Sequence, residues 1–191
     1  MQRVAAIRRR AGAGYRTLRR LTETALHAPR HKAVARRVRG MPRPRTIVVV
    51  CYGNICRSPY LEALLRRALP DIRVSSAGFV GPGRSVPEHS RVVAARRGID
   101  LGSHRSQMVS RELLRSADLV IVMDANQARA LRRGFGVDAG RIIIAGDLDP
   151  LRSGTRAILD PWNRPIEDFE SSFARLDRCA DRLTSLLNGA P

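Results

Sequence analysis

A cysteine and an arginine six residues apart, Cys51 and Arg57, are the residues of this sequence best suited to chemistry. The segment that joins them, Cys51-Tyr-Gly-Asn-Ile-Cys-Arg57, follows a β-branched run and precedes Ser58-Pro59. A loop that leads into a helix can turn its backbone N–H groups inward and form a nest for an anion. A guanidinium binds two phosphate oxygens with its planar fork, and the same positive field favours a cysteine thiolate. The segment therefore predicts a phosphate-binding loop that holds a nucleophile beneath the phosphorus.

The context of this loop carries more weight than its spacing. The chain has 35 basic residues, of which only Lys32 is a lysine, so a cysteine and an arginine six residues apart mean little alone. The loop follows an apolar strand, and Gly53 and Asn54 suit a left-handed backbone conformation. The alternative is a buried cysteine at a strand end that acts as a small apolar side chain. The pattern is neither a Walker A loop nor a dinucleotide-binding motif.

A phosphorylated cysteine also needs a proton donor for the leaving oxygen and a base for the attacking water. One carboxylic acid on a loop over the pocket can do both. Two Asp-Pro pairs, Asp149-Pro150 and Asp160-Pro161, lie in residues 146–168, a stretch rich in Asp, Pro and Gly. A long loop in a compact domain is usually functional. The pattern alone does not choose between the two aspartates.

Strand and helix patterns alternate after residue 45 and would position this loop. Short apolar or β-branched runs predict strands at 46–51, 73–78, 118–123 and 141–145. Helical spacing predicts one helix with Ser58 as its N-cap, and further helices near 88–97, 110–116, 125–133 and 169–187. The alternation indicates a doubly wound α/β domain, which binds ligands at the carboxyl ends of its parallel strands.

The composition indicates an ordinary folded domain. Of the 191 residues, 43% are hydrophobic and 27% are charged, which argues against a disordered chain. No apolar run approaches the roughly 18 residues that cross a bilayer. Three cysteines are too few for a disulfide framework, so we expect a reducing, cytoplasmic environment. No metal site is predicted, because His89 and His104 are isolated and Pro29 argues against one helical face for His27 and His31.

The formal charge of +18 is concentrated at the amino-terminal end. Residues 1–45 carry 14 basic residues and one acid, Glu23, whereas the remainder carries 21 basic and 16 acidic residues. We interpret residues 1–44 as a basic leader. It could be an amphipathic helix that contacts anionic lipid or a partner, an arginine-rich transit peptide, or a nucleic-acid-binding tail, although only Tyr15 supplies an aromatic ring. We favour a solvated tail, or a protein that truly starts at Met41.

The segment Val50-Cys-Tyr-Gly-Asn-Ile-Cys-Arg-Ser-Pro59 resembles the phosphate loop of the low molecular weight protein tyrosine phosphatases. The resemblance covers about residues 45–188 and is supported by segments at 74–78, 98–105, 122–124 and 160–170. It makes residues 45–191 a phosphatase domain. It also implies a flavodoxin-like fold without a cofactor, a sheet of four parallel strands in the order 2-1-3-4 with helices on both faces.

The resemblance assigns the catalytic roles. Cys51 is the nucleophile, and Arg57 binds the phosphate. Asp160 is the general acid and base, because the family has an aromatic residue after the proline and Trp162 stands there. Asp149 then belongs to a structural turn. The implied reaction is metal-free hydrolysis of phosphotyrosine through a phosphocysteine intermediate.

The resemblance also assigns supporting roles. Asn54 braces the loop through a network with Ser76 and His104, and Ser58 donates a hydrogen bond to the thiolate.

The substrate pocket is implied to have two aromatic walls, Tyr52 and Trp162. The remaining residues of the substrate-binding loop include Gly53, Ile55 and Cys56, and Cys56 could trap an oxidised nucleophile as a disulfide. The implied partner is a phosphotyrosine-containing protein, such as a bacterial tyrosine kinase. We expect no specific binding of nucleic acid.

Other activities occur on the same fold. Arsenate reductases use two further cysteines in the second half of the chain, where this chain has only Cys179, which we expect in the core. A related protein arginine phosphatase has threonine at the position of Ile55, so Ile55 favours phosphotyrosine. A binding module with an inactive phosphatase fold is opposed by the intact set of Cys51, Arg57 and Asp160.

Overall fold

The computed structural model describes residues 2–189, with side chains from Leu21 onward. Its strands are β1 (Thr46–Cys51), β2 (Arg73–Gly78), β3 (Leu119–Val122) and β4 (Ile142–Ile144). Its helices are α1 (Gln2–Gly40), α2 (Arg57–Ala68), α3 (Glu88–Ala95), α4 (Arg111–Ser116), α5 (Ala125–Phe135) and α6 (Ile166–Leu187).

The four strands are parallel and lie in the order β2-β1-β3-β4. Successive side chains of a strand point to opposite faces, and β1 and β3 are buried on both. Val48 and Val50 join a core cluster with residues of α4 and α5, whereas Ile47 and Val49 join a second cluster with residues of α2 and α6. The sheet confirms the predicted flavodoxin-like order 2-1-3-4 with helices on both faces.

Four predicted elements are slightly too long, among them the helix predicted at 110–116, which begins at Arg111 with Ser110 as its N-cap. The strands predicted at 118–123 and 141–145 each lose one residue at both ends, because strand pairing covers only Leu119–Val122 and Ile142–Ile144. The helix predicted at 88–97 ends at Ala95 and is followed by a turn in which Gly98 has a φ of +69°. Glycine adopts this left-handed conformation without steric cost.

Helix α2 begins two residues earlier than the Ser-Pro pair predicts. The prediction of Ser58 as N-cap is wrong, because Cys56 is the N-cap and Arg57 is the first helical residue. The Ser58 hydroxyl donates to Cys51 Sγ, 3.1 Å away, rather than accepting from a helical N–H. Pro59 is therefore the third helical residue, within the first turn, where a missing N–H breaks no helical hydrogen bond.

The basic leader contains a helix, α1, that continues through Pro29. The prediction that Pro29 separates His27 from His31 is wrong, because the two rings lie nearly parallel with their centroids 6.0 Å apart. A proline inside a helix removes one hydrogen bond and is costly. Both rings hydrogen-bond to backbone carbonyls of the α/β domain, and these contacts offset part of that cost.

The carboxyl-terminal part of α1 packs against the domain. Val34, Ala35 and Val38 are buried and belong to the core cluster that includes β1, α2 and α6. A solvated tail therefore does not describe residues 34–38. Within residues 2–189, no helix is long and apolar enough to cross a membrane.

Candidate active site

Cys51 ends β1, and its thiol lies under the loop of residues 52–56 that leads into α2. The residue is only 2% exposed. Its Sγ accepts one hydrogen bond from the backbone N–H of Asn54 and one from the Ser58 hydroxyl, both at 3.1 Å. Two donors aimed at one sulfur suit a nucleophile that carries negative charge.

A chain of side-chain hydrogen bonds supports the thiol from behind. Asn54 Nδ2 donates to Ser58 Oγ at 2.9 Å and to Ser76 Oγ at 2.7 Å. The Ser76 hydroxyl in turn donates to Glu62 Oε2 at 2.6 Å. Asn54 and Ser58 are fully buried, so each bond is made away from competing water. The chain fixes the direction of the Ser58 hydroxyl, whose own proton goes to the sulfur of Cys51.

The backbone of Asn54 is held in an uncommon conformation. Its φ is +51°, in the left-handed region that asparagine tolerates better than most residues. His104 Nε2 donates to the Asn54 carbonyl at 2.8 Å, and the backbone N–H of Gln107 donates to Asn54 Oδ1 at 2.8 Å. Gly78, at the end of β2, approaches so closely that a Cβ atom there would lie 2.8 Å from Asn54 N. Only glycine allows β2 to brace the loop at this distance.

The guanidinium of Arg57 spans the site although the residue is only 3% exposed. Its Nη1 donates to the Ile158 carbonyl at 2.9 Å, and its Nη2 forms a short ion pair with Asp160. Its buried Nε–H has no acceptor among the residues that the structure describes. A buried donor without an acceptor is costly, and an anion in the loop would supply one.

These side chains meet at a pocket of about 140 Å³. It is lined by Cys51, Tyr52, Gly53, Ile55, Cys56, Arg57, Val80, Arg84, Asp160 and Trp162. The structure thus brings together all three predicted catalytic residues. Among the predicted substrate-binding residues, Asn54 and Ser58 do not line the pocket and instead hold the thiol from behind.

The mouth of the pocket is aromatic on two sides. Tyr52 and Trp162 are each 59% exposed, so this tryptophan is a surface residue of the site rather than part of the core. The backbone N–H of Trp162 donates to Asp160 Oδ1 at 3.2 Å and completes a turn that presents the aspartate to the pocket. The Asp160 side chain is 42% exposed, which leaves it accessible to both substrate and water.

The other two cysteines are buried thiols. Burial raises the pKa of Cys56 to about 12, so this thiol stays protonated near neutral pH. Burial also raises the pKa of Cys179, which lies in the core on α6 as predicted. All three cysteines are free.

Three polar side chains that contribute to the site were not predicted from the sequence, and neither was Val80, which lines the pocket. Arg84 lines the pocket, and its Nη2 donates to the carbonyls of Gly53 at 2.6 Å and Val80 at 2.8 Å. Glu62 ends the hydrogen-bond chain, and Gln107 holds Asn54. The sequence signal for Glu62 is its spacing of four residues from Ser58 on one helical face. Arg84 and Gln107 lie in loops, and no local sequence pattern indicates the path of these loops.

No group of three or more potential metal-ligating side chains occurs in the described part of the chain. Charge at the pocket comes from Arg57, Arg84 and Asp160. The arrangement can bind a dianion on the loop, attack it with sulfur and move a proton through one carboxyl group.

Comparisons with known proteins agree with this geometry. The family model described as "Low molecular weight phosphotyrosine protein phosphatase" matches residues 46–190. A probable low molecular weight protein-tyrosine-phosphatase, EpsP of Ralstonia nicotianae, is 36% identical over 138 residues, which is 72% of this chain and 92% of that protein.

Two solved structures show the same fold. The tyrosine phosphatase AmsI of Erwinia amylovora is 31% identical with a TM-score of 0.68, over 73% of this chain and 91% of that chain. The YwlE arginine phosphatase of Geobacillus stearothermophilus is 32% identical with a TM-score of 0.68, over 76% of this chain and 94% of that chain. The family match covers the whole candidate site and begins only after α1. The chain therefore belongs to the low molecular weight phosphotyrosine protein phosphatase family, a family of protein tyrosine phosphatases.

Proposed function

We propose that this protein hydrolyses phosphotyrosine in protein substrates through a phosphocysteine intermediate on Cys51. The observation that carries the proposal is the position of Cys51 Sγ, which accepts two hydrogen bonds in a pocket shared with Arg57 and Asp160. Arg57 and residues of the loop line the same pocket as this sulfur, where the phosphate oxygens of a substrate would gather charge.

The reaction takes two steps. In the first, the Cys51 thiolate attacks phosphorus, the bond from phosphorus to the tyrosyl oxygen breaks, and the Asp160 carboxylic acid gives its proton to that oxygen. In the second, the Asp160 carboxylate takes a proton from water, and the water oxygen attacks phosphorus. The sulfur–phosphorus bond then breaks, which returns the thiolate and releases inorganic phosphate.

Arg57 links substrate binding to the acid. Its guanidinium pairs with Asp160 in the structure, and an incoming phosphate dianion would compete with that carboxylate for the same fork. We infer that phosphate binding loosens the ion pair and frees Asp160 to face the leaving oxygen. Before the substrate arrives, the ion pair with Arg57 keeps Asp160 beside the pocket.

The pocket walls favour an aryl phosphate. Tyr52 and Trp162 offer two exposed aromatic faces to a tyrosyl ring, and Ile55 offers an apolar side chain in the pocket. A side chain shorter than phosphotyrosine would leave these faces uncovered.

Phosphoarginine is the second candidate substrate, and it is favoured by the likeness to the YwlE arginine phosphatase. Its guanidino N–H groups would need acceptors near the loop. Ile55 is buried and aliphatic, and it supplies none. We therefore rank phosphotyrosine first.

The proposed partners are phosphotyrosine-containing proteins, with bacterial tyrosine kinases as the candidates that the family suggests. We propose a cytoplasmic location, because a reactive thiol needs a reducing compartment and all three cysteines are free.

The test is phosphate release from paired phosphotyrosine and phosphoarginine peptides, measured with a metal chelator on the full chain, on Cys51→Ser and on Asp160→Asn. We expect turnover of phosphotyrosine that resists the chelator. It should be abolished in Cys51→Ser, and it should fall about 10²–10⁴-fold in Asp160→Asn, the usual contribution of a general acid. A preference for phosphoarginine would contradict the substrate, and activity retained in Cys51→Ser would contradict the mechanism.

A further inference from the structure

Helix α1 contacts the segment that carries Asp160. We call residues 147–160 the acid segment. One helical face of α1 carries Glu23, His27 and His31 at spacings of four residues, and all three side chains contact the acid segment. These three residues of α1 lie outside residues 46–190, the part of the chain that matches the family model, whereas the acid segment lies inside it.

The two histidines hold the beginning of the acid segment. His27 Nε2 lies 2.9 Å from the Asp149 carbonyl oxygen, and His31 Nδ1 lies 3.1 Å from the Asp147 carbonyl oxygen. A carbonyl oxygen only accepts, so each of these ring nitrogens must carry a proton and donate it. The parallel stacking of the two rings keeps both donors on one side of α1.

Glu23 holds the acid segment closer to its end. Its Oε2 accepts from the backbone N–H of Arg156 at 3.2 Å and from Arg30 Nη1 at 2.6 Å. The side chain of Glu23 is only 17% exposed, so the carboxylate is partly shielded from water. The Arg156 side chain forms a short ion pair with Asp147, which ties the end of the segment to its beginning.

Only three residues lie between Arg156 and Asp160, and two of them are held by hydrogen bonds to other elements. Arg175 of α6 donates to the Ala157 carbonyl at 2.7 Å, and the Ile158 N–H donates to the Met123 carbonyl at 2.9 Å. A displacement of Arg156 would pull on Ala157, its neighbour in the chain, and so would strain the two contacts that hold the backbone leading to Asp160.

We propose that the Glu23, His27 and His31 face of α1 positions the general acid Asp160 by clamping the acid segment. The inference rests on the proposed role of Asp160. These three residues act through the backbone of the acid segment and do not line the substrate pocket. The leader is thus a positioning element of the active site.

A leaving-group test separates this role from a general loss of fold. A general acid matters most when the leaving oxygen is a poor leaving group, so loss of its position should slow phenyl phosphate more than 4-nitrophenyl phosphate. The value of kcat/KM reports the first chemical step together with binding. The variants are Glu23→Ala, which removes the acceptor for the Arg156 N–H, and Glu23→Gln, which keeps an acceptor oxygen.

The matched control is Asp71→Ala, which breaks an exposed ion pair with Arg43. Asp71 precedes β2 and therefore lies at the amino ends of the strands, whereas the active site lies at their carboxyl ends. We expect Glu23→Ala to lower kcat/KM about tenfold for phenyl phosphate and less than about twofold for 4-nitrophenyl phosphate. Glu23→Gln should recover most of the loss, and Asp71→Ala should change neither substrate. Asp160→Asn, measured alongside, sets the limit of the effect.

The outcomes distinguish this inference from the proposed function. Equal losses on both substrates in Glu23→Ala, or no loss on either, would overturn the clamp while Asp160→Asn still showed its selective loss. No selective loss in Asp160→Asn would overturn the acid role of Asp160 and the clamp with it.

Discussion

At the scale of single residues, the site depends on donors that point at one sulfur. Ser58 is the clearest case, because the local pattern makes it the N-cap of a helix, whereas the family resemblance and the structure both direct its hydroxyl to Cys51 Sγ. Asn54 fixes that hydroxyl from the other side through Nδ2. The serine thus serves the nucleophile rather than the helix, and α2 begins without a side-chain cap.

Ser58→Ala tests this directly. A hydrogen bond to a charged group is worth about 1.5–3 kcal/mol, so loss of the donor should lower kcat/KM on a phosphotyrosine peptide about 10–100-fold. The control is Ser116→Ala, which removes a serine hydroxyl that bonds only to a carbonyl of α4. Equal rates in the two variants would mean that Ser58 does not act on the sulfur.

Some residues of the site could be predicted from the sequence and others could not. Cys51, Arg57 and Asp160 were predictable because their motifs are contiguous and resemble a known family. Arg84 was not, because its contact with the Gly53 carbonyl joins residues that lie 31 positions apart. Contacts of that separation depend on the path of a loop, which no local periodicity encodes.

At the scale of elements, the acid segment depends on an ion pair within the core. Asp149 is fully buried and pairs with Arg175 and Arg178 of α6, while its Oδ1 also accepts from the Leu151 N–H. The family resemblance assigns Asp149-Pro150 to a structural turn, which agrees with the Leu151 contact. It did not predict the two arginines, which lie 26 and 29 positions away.

Asp149→Asn should destabilise the fold strongly. Removal of one partner from a buried ion pair leaves uncompensated charge and typically costs about 3–5 kcal/mol. We expect a loss of this size in the free energy of urea unfolding at pH 7. Glu88→Gln, which breaks an exposed pair with Arg91, is the control and should cost less than about 1 kcal/mol. Similar values for the two variants would contradict the structural role of Asp149.

The same ion pair predicts a pH dependence. Burial opposes ionisation of Asp149, but hydrogen bonds from Arg178, Leu151 and Arg175 outweigh it and lower its pKa. A carboxyl group with a lowered folded-state pKa stabilises the fold fully above its unfolded pKa of about 3.9, and this stability is lost as the pH falls towards the folded value. Below about pH 4, the difference in free energy of urea unfolding between wild type and Asp149→Asn should therefore become smaller than at pH 7.

At the scale of the whole molecule, the sheet was predictable and the place of the leader was not. The apolar runs of β1 and β3 predict buried central strands, and the structure has them. The sequence of α1 is rich in arginine and contains Pro29, so local rules favour a tail. Its packing depends on Val34, Ala35 and Val38, three small side chains whose significance appears only when the opposing core is present.

Deletion of residues 2–40 should therefore lower stability. Full burial of a valine side chain contributes about 1.5–3 kcal/mol, so loss of Val34, Ala35 and Val38 from the core should cost about 3–6 kcal/mol, measured by urea unfolding. If the deleted protein still folds, it should turn over 4-nitrophenyl phosphate, because the residues that line the pocket all follow residue 50.

Phenyl phosphate makes the same deletion informative about catalysis. Its kcat/KM should fall further than that of 4-nitrophenyl phosphate, since the clamp on the acid segment is lost together with the core contacts. Unchanged stability would mean that α1 does not pack on the domain in solution. Lower stability with an unchanged ratio of the two substrates would assign α1 a purely structural role. Lower stability together with a changed ratio of kcat/KM for the two substrates would show that α1 contributes both to the fold and to catalysis.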